Sequence, residues 1–277
     1  MADDKGRIRR PCLNDVPALV ALELQGFPDV YERHPDRSSG CLANALTDRF
    51  EQRVLLLGQF SLVREDGFGT IDSMLIACPT DVAPMDFPAL QLDMTTAEGI
   101  SGLLDPKGAY RYFINLVTVA TGGGRLSLFR ELLARSLEEG FVSTYFESRL
   151  PRFRSWVTGQ GLDPGGLVSS ELSHLACTYV AAVGRNGRPV DPLLAMYSSC
   201  GARPLRLVPN AWPVDAESLG FGMLCLLPNR LLLESGVAPM SCGALELAAA
   251  VRRLRTWDCI GVLATGQMPS LAQHSSP

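Results

Sequence analysis

Three consecutive glycines, Gly122, Gly123 and Gly124, stand between an apolar β-branched run and an amphipathic stretch. Glycine reaches backbone angles closed to other residues, so successive N–H groups can converge on one concavity where a helix begins, which is how a chain seats an anion. Two readings stay open here: a seat for a phosphate or oxyanion, and a plain turn joining two core elements. Neither GxGxxG nor GxxxxGK[ST] is present, which removes the dinucleotide fingerprint and the nucleoside triphosphate loop. A second cluster, Arg149, Arg152 and Arg154, surrounds Phe153 and Trp156. Three guanidiniums can bind a carboxylate or phosphate, or lie on a solvated helix face. The eight cysteines (Cys12, Cys41, Cys78, Cys177, Cys200, Cys225, Cys242 and Cys259) form no CxxC pair, and only His34, His174 and His274 accompany them. Zinc is not expected on that spacing, and buried, reduced thiols packing as small hydrophobes are. His174, in ELSHLACTYV, reads as a structural histidine on an apolar helix face.

The element that must carry the glycines runs from Tyr112 to Gly140. Phe113 to Ala120 is short, β-branched and apolar, the pattern of an interior strand. Beyond Arg125, apolar Leu126, Phe129, Leu132, Leu133 and Leu137 recur at helical spacing, opposite Arg130, Arg135, Glu138 and Glu139, and Gly140 ends the helix. VSTYFESRL then supplies a strand beside the first, reached by a right-handed crossover.

Upstream, RIRRPC reads as an edge strand, followed by a helix that Asn14 or Asp15 caps and Pro28 stops. A second helix is expected from Cys41 to Phe50. RVLLLGQFSLVRED and GTIDSMLIACPTD follow as a strand meander, and the stretch from Asp81 to Gly108 reads as an irregular, proline-rich loop on the substrate side. Downstream come a helix over Leu172 to Val183, a short helix in DPLLAMYSSCG, and the strands ARPLRLVP and GFGMLCLLP. The fold class is therefore α+β, a mixed, mostly antiparallel central sheet flanked by helices. Residues 1–233 form one domain, and 234–277 a helical extension with a polar tail.

At 277 residues, 47% hydrophobic and a net charge of −4, the chain has the apolar content for a sizeable core and no electrostatic reason to bind nucleic acid or an anionic membrane. No signal peptide or membrane-spanning run is apparent, so a soluble, cytoplasmic protein is expected.

The element order, with LVTVATGGGRLSLFRELL at its centre, resembles the GCN5-related N-acetyltransferase (GNAT) superfamily over about residues 7–230. DPLLAMYSSCGARPLRLVPNAWPVDAESLGFGMLCLL resembles more specifically the GNAT-like domains of polyketide synthase loading modules. The resemblance implies a strand pair splayed to admit a thioester's pantetheine arm, and a turn that holds the coenzyme A pyrophosphate. It implies acyl transfer, with decarboxylation of a malonyl-type thioester as a further activity. The acyl group would be carried on coenzyme A or on the phosphopantetheine of an acyl carrier protein, the implied partner, without a metal. Thr118 or Thr121, Arg154 and Tyr197 would be catalytic. Val117, Val119, Gly122, Gly123, Gly124 and Arg125 would hold the thioester arm, and Asn115, Arg149, Phe153 and Trp156 would line the substrate side. Tyr197 has two readings, an acid for the leaving thiolate and a tyrosine packing beside Met196; Glu147 likewise reads as a base or as a solvated strand-end carboxylate.

Two departures shape the expectation. Opposite the family's Arg-Gly-x-Gly-x-Gly loop stand Gly124, Arg125, Leu126, Ser127, Leu128 and Phe129, whose bulk would obstruct a diphosphate and so favours a carrier protein, whose arm brings a single phosphodiester. In SRLPRFRSW, Arg154 replaces a histidine of the relatives; it cannot act as a base but can polarise a carbonyl or bind a carboxylate. The alternatives are an acetyl-CoA-dependent small-molecule N-acetyltransferase and a non-catalytic interaction module.

Overall fold

The computed structural model describes residues 6–31, 41–87, 97–119, 124–199 and 201–229. Along the chain these form β1 (Arg7–Arg9), α1 (Val16–Gly26), α2 (Pro28–Tyr31), α3 (Cys41–Leu57), β2 (Leu62–Glu65), β3 (Ile71–Thr80), α4 (Ala97–Leu103) and β4 (Tyr110–Thr118). Then come α5 (Gly124–Glu138), β5 (Ser143–Arg149), α6 (Phe153–Gly159), α7 (Ser169–Ala181), α8 (Pro192–Ser199), β6 (Arg203–Trp212) and β7 (Gly220–Pro228). The strands make one seven-stranded sheet in the order β1-β2-β3-β4-β5-β7-β6. β4 and β5 run parallel, as the helical crossover between them requires, and every other neighbour is antiparallel.

Helices cover both faces. On one, Leu19 of α1 and Leu46, Phe50 and Leu57 of α3 pack on Met74, Ile76, Tyr112 and Tyr145. On the other, Leu128, Phe129 and Leu132 of α5, Tyr179 of α7 and Tyr197 of α8 pack on Phe113 and Phe146. No helix among the described residues is long and apolar enough to cross a membrane.

Several local expectations change. The second helix extends to Leu57, absorbing residues read as the start of a strand. Leu42, Leu46, Phe50, Val54 and Leu57 keep one helical stripe and are all buried, so the run reads as strand only when cut from what precedes it. Asp15 precedes α1 but makes no side-chain cap; its carboxylate instead accepts two bonds from Arg9, at 2.7 and 2.8 Å, and one from the Cys12 N–H at 2.7 Å. Pro28 starts α2 rather than merely stopping α1, a position where its missing N–H costs nothing. The loop after β3 contains α4, and its first residues are pinned: Phe87 stacks on Tyr112 at 4.6 Å, and the Tyr145 hydroxyl donates to the Val82 carbonyl at 3.0 Å. The C-terminal extension from 234 onward lies outside the described residues.

Candidate functional site: a cleft between two parted parallel strands

β4 and β5 pair over only three positions, Tyr110 with Ser143, Arg111 with Thr144 and Tyr112 with Tyr145, although both strands continue beyond them. Two features separate the strands past that point. The register of β4 against β3 shifts between Ile76 and Ala77, which face Asn115 and Phe113, so Ile114 is an extra residue, a bulge that bends its strand. β5 meanwhile stays with β7 along its whole length, from Ser143 opposite Pro228 to Arg149 opposite Gly222. The sheet therefore forks. A cleft of about 260 Å³ opens between the tines.

The two walls differ because side chains alternate across each strand. Toward α5 and α8 the wall is apolar, with Phe113, Leu116, Leu193 and the ring of Tyr197. Toward α1 it carries Asn115, Val117, Glu147 and Arg149.

Tyr197 is placed by a chain of local bonds. Asp191 accepts from the N–H groups of Leu193 at 2.9 Å and Leu194 at 3.0 Å, capping α8, and from the Tyr179 hydroxyl at 2.9 Å. Burial raises the Asp191 carboxyl above its usual value despite those bonds. α8 then lays Tyr197 against Phe146, ring centroids 4.5 Å apart, and against Phe129 at 5.7 Å. Thr118 is half-buried on the cleft, its hydroxyl 2.7 Å from that of Ser73.

The β3–β4 register reassigns the backbone donors. The Val119 N–H donates to the Asp72 carbonyl at 3.0 Å, so it faces β3 and is not available to a bound carbonyl. By strand alternation Val117 faces the same way, and the backbone groups of Leu116 and Thr118 turn toward the cleft instead.

Of the arginine cluster, the structure brings Arg149 to the cleft. Its guanidinium holds Asp215 in a bidentate pair at 2.6 and 2.9 Å and lies over the Phe27 ring at 5.5 Å. Burial pushes the Asp215 carboxyl up, but the bonds from Arg149 and Ser218 outweigh it and leave it below its usual value. Arg154 is exposed on α6, outside the cleft lining, with its backbone N–H on the Glu217 carbonyl at 2.9 Å. Phe153 is fully buried against Tyr179 and Phe221, and Trp156 packs on Tyr179 at 5.4 Å; neither lines the cleft. Thr121, Gly122 and Gly123 lie outside the described residues, as does the Arg125 side chain, while Gly124 opens α5. His174 is exposed rather than on an apolar face. Cys12, Cys41 and Cys177 are exposed too, whereas burial pushes the Cys78 and Cys225 thiols up to about 12 and leaves them inert.

Sequence reasoning missed Glu23, Tyr31 and Asp215. Glu23 is buried on α1, receiving a hydrogen bond from Tyr31 at 2.8 Å and one from Asn115. A charge inside the apolar run VPALVALELQG was the signal for it. Nothing in the local pattern marks Asp215.

This arrangement, a mixed sheet forked between its two parallel strands with helices on both faces, is the GNAT fold. No family model matches the sequence, and no curated protein matches it either. Among solved structures, the chain is similar to the GphF GNAT-like decarboxylase in complex with isobutyryl-CoA, with a TM-score of 0.60 and 23% identity over 81% of this chain and 100% of that one. It is similar as well to the loading GNATL domain of CurA from Lyngbya majuscula, with a TM-score of 0.63 and 16% identity over 82% of this chain and 100% of that one.

The residues present are compatible with the thioester arm that the resemblance implies. The fork is open and its walls are part apolar, part polar, as a pantetheine chain with two amides requires. Of the residues opposite the family's loop glycines, Phe129 is turned into the core and the Arg125 side chain lies outside the described residues.

Proposed function

We propose that this protein is an acyltransferase acting on an acyl thioester delivered by the phosphopantetheine of an acyl carrier protein in polyketide biosynthesis. The observation that carries the reading is the fork: β4 and β5 part after three pairs, and both Thr118 and Tyr197 line the gap. An extended arm enters such a gap as a further strand would, using the cleft-facing backbone of Leu116 and Thr118. Those groups hold and polarise the carbonyl, which is where charge develops during acyl transfer. As the acyl group passes to the thiol of a second carrier protein, Tyr197, a phenol on an apolar wall, donates its proton to the leaving sulfur and is reprotonated by the proton the incoming thiol gives up. Arg149 takes the electrostatic part first assigned to Arg154, because it is the guanidinium that reaches the cleft, and its pair with Asp215 fixes it there. Decarboxylation of a malonyl-type group is favoured by the apolar wall of Phe113, Leu116 and Leu193, which solvates a carboxylate poorly.

Carrier proteins loaded with malonyl, methylmalonyl or acetyl groups, incubated with the protein and an unloaded carrier protein as acceptor and followed by intact mass, test this directly. Loss of the acyl mass, or of carbon dioxide, from at least one is expected. Tighter calorimetric binding of acetyl-CoA than of an acyl carrier protein favours the small-molecule N-acetyltransferase instead. No turnover of any substrate, together with stable carrier binding, favours the non-catalytic module.

A further inference from the structure

Asn115 is 8% exposed and borders the cleft on its α1 side. Its Nδ2 donates to Glu23 Oε2, while the Tyr31 hydroxyl donates to Glu23 Oε1 at 2.8 Å. A carboxylate accepts and has no proton to give, so the amide must keep its nitrogen toward α1 and its carbonyl away from it. The reverse orientation would set two oxygens face to face. Burial, with the Glu23 charge adding to it, raises the Tyr31 phenol well above its usual value and keeps it a donor. Arg53 of α3, 2% exposed, is pushed down to about 10 by burial and feels the opposing charge of Glu23. Glu23 thus accepts from two donors, Tyr31 and Asn115, in the field of a buried cation. Asn115 Oδ1 takes no hydrogen bond from any described residue, which leaves an oriented acceptor on a residue that lines the cleft.

Asn115 lies three residues beyond Tyr112, the last paired position, where the fork is narrow. The start of α5, the natural seat for a phosphate, follows the far end of β4. An arm anchored by phosphate at the wide end brings its terminal acyl group to the narrow end. We infer that Asn115 determines acyl specificity: its carbonyl, oriented by Glu23 and Tyr31, accepts a hydrogen bond from a hydroxyl or N–H carried on the acyl group of the bound thioester. This rests on reading the cleft as a thioester site.

The experiment uses amide analogues of 2-hydroxypropionyl-phosphopantetheine and isobutyryl-phosphopantetheine, which differ by hydroxyl for methyl at one position, keep the anchoring phosphate and cannot transfer their acyl group. Both are titrated calorimetrically into the full chain. The hydroxylated analogue is expected to bind about tenfold more tightly, the worth of one hydrogen bond. Asn115→Leu erases that preference. Glu23→Gln, which can donate and so lets the amide turn over, reduces it to about twofold while the affinity for the isobutyryl analogue stays unchanged. A merely structural role for Glu23 would weaken both ligands alike. Equal affinity of the unaltered protein for the two analogues, a preference that persists in Asn115→Leu, or one that Glu23→Gln leaves undiminished, overturns the proposal. Failure of both analogues to bind overturns the thioester reading beneath it, and the proposal with it.

Discussion

The two ends of the β4–β5 pair are built from different materials. At the paired end, Phe87, Tyr110, Tyr112 and Tyr145 form one aromatic cluster with centroids 4.6–6.5 Å apart. Beside it the buried Arg111 guanidinium bonds Ser136 at 3.0 Å, pairs with Glu139 and lies over the Phe141 ring at 4.2 Å. At the parted end the strands are joined by no ladder pair, and their side chains reach outward to α1, α8 and the turn before β7. The difference teaches that a gap inside a sheet needs a lock at its closed end: the aromatic and ionic packing holds the strands where they meet, so the rest of their length is free to stand apart.

Breaking the lock should have the largest effect. Tyr145 is fully buried, so Tyr145→Ala leaves a cavity against Phe87 and Tyr112 and should cost about 3–5 kcal/mol in a denaturant titration.

Next is the parted end's own clasp. Arg149→Met leaves the buried Asp215 carboxylate without its cation and should cost about 3 kcal/mol at neutral pH. Because Asp215 titrates below its usual 3.8 when folded, the clasp contributes fully above that value and is lost as pH falls through the lowered one. The stability difference between the two proteins should therefore shrink on acidification; a constant gap from pH 7 to 3 would show that the pair is not the source.

A smaller effect comes from narrowing the cleft. A Cβ added at Gly26 would collide with Val117, so Gly26→Ala should cost about 1–2 kcal/mol and weaken binding of a pantetheine ligand. Least of all for stability is Tyr197→Phe, which keeps the ring against Phe146. Its melting temperature should move by no more than the loss of one hydrogen bond allows, about 1 kcal/mol, while acyl transfer from the loaded carrier falls about a hundredfold. Equal loss of both would make Tyr197 a packing residue.

The strands, the crossover helix and the capped α8 were all legible, because each is a local pattern with its own period. Where β4 leaves β5 was not, since a bulge is a property of two strands in register and leaves no mark in one. The same reason hid the backbone assignment: Val119 looks as available as Thr118 until its N–H is found on Asp72. Arg149 and Arg154 were indistinguishable by composition; alternation puts Arg149 on the same face as Tyr145 and Glu147, the face that the structure shows to lie toward α1. α6 begins at Phe153, and from there the rule that decides facing changes from period two to 3.6. The α3 boundary failed for the opposite reason, a short apolar run satisfying both periods at once.

Since β4 keeps its bonds to β3 and β5 keeps its own to β7, the sheet is in effect two panels joined over three residue pairs. A swing about that junction would widen or narrow the opening without rupturing any ladder, its cost set by the packing that spans the two panels, such as Phe113 on Phe146 at 4.0 Å. Slow amide exchange along both panels, alongside a broad distribution of distances between labels placed across the opening, is the signature such a motion would leave.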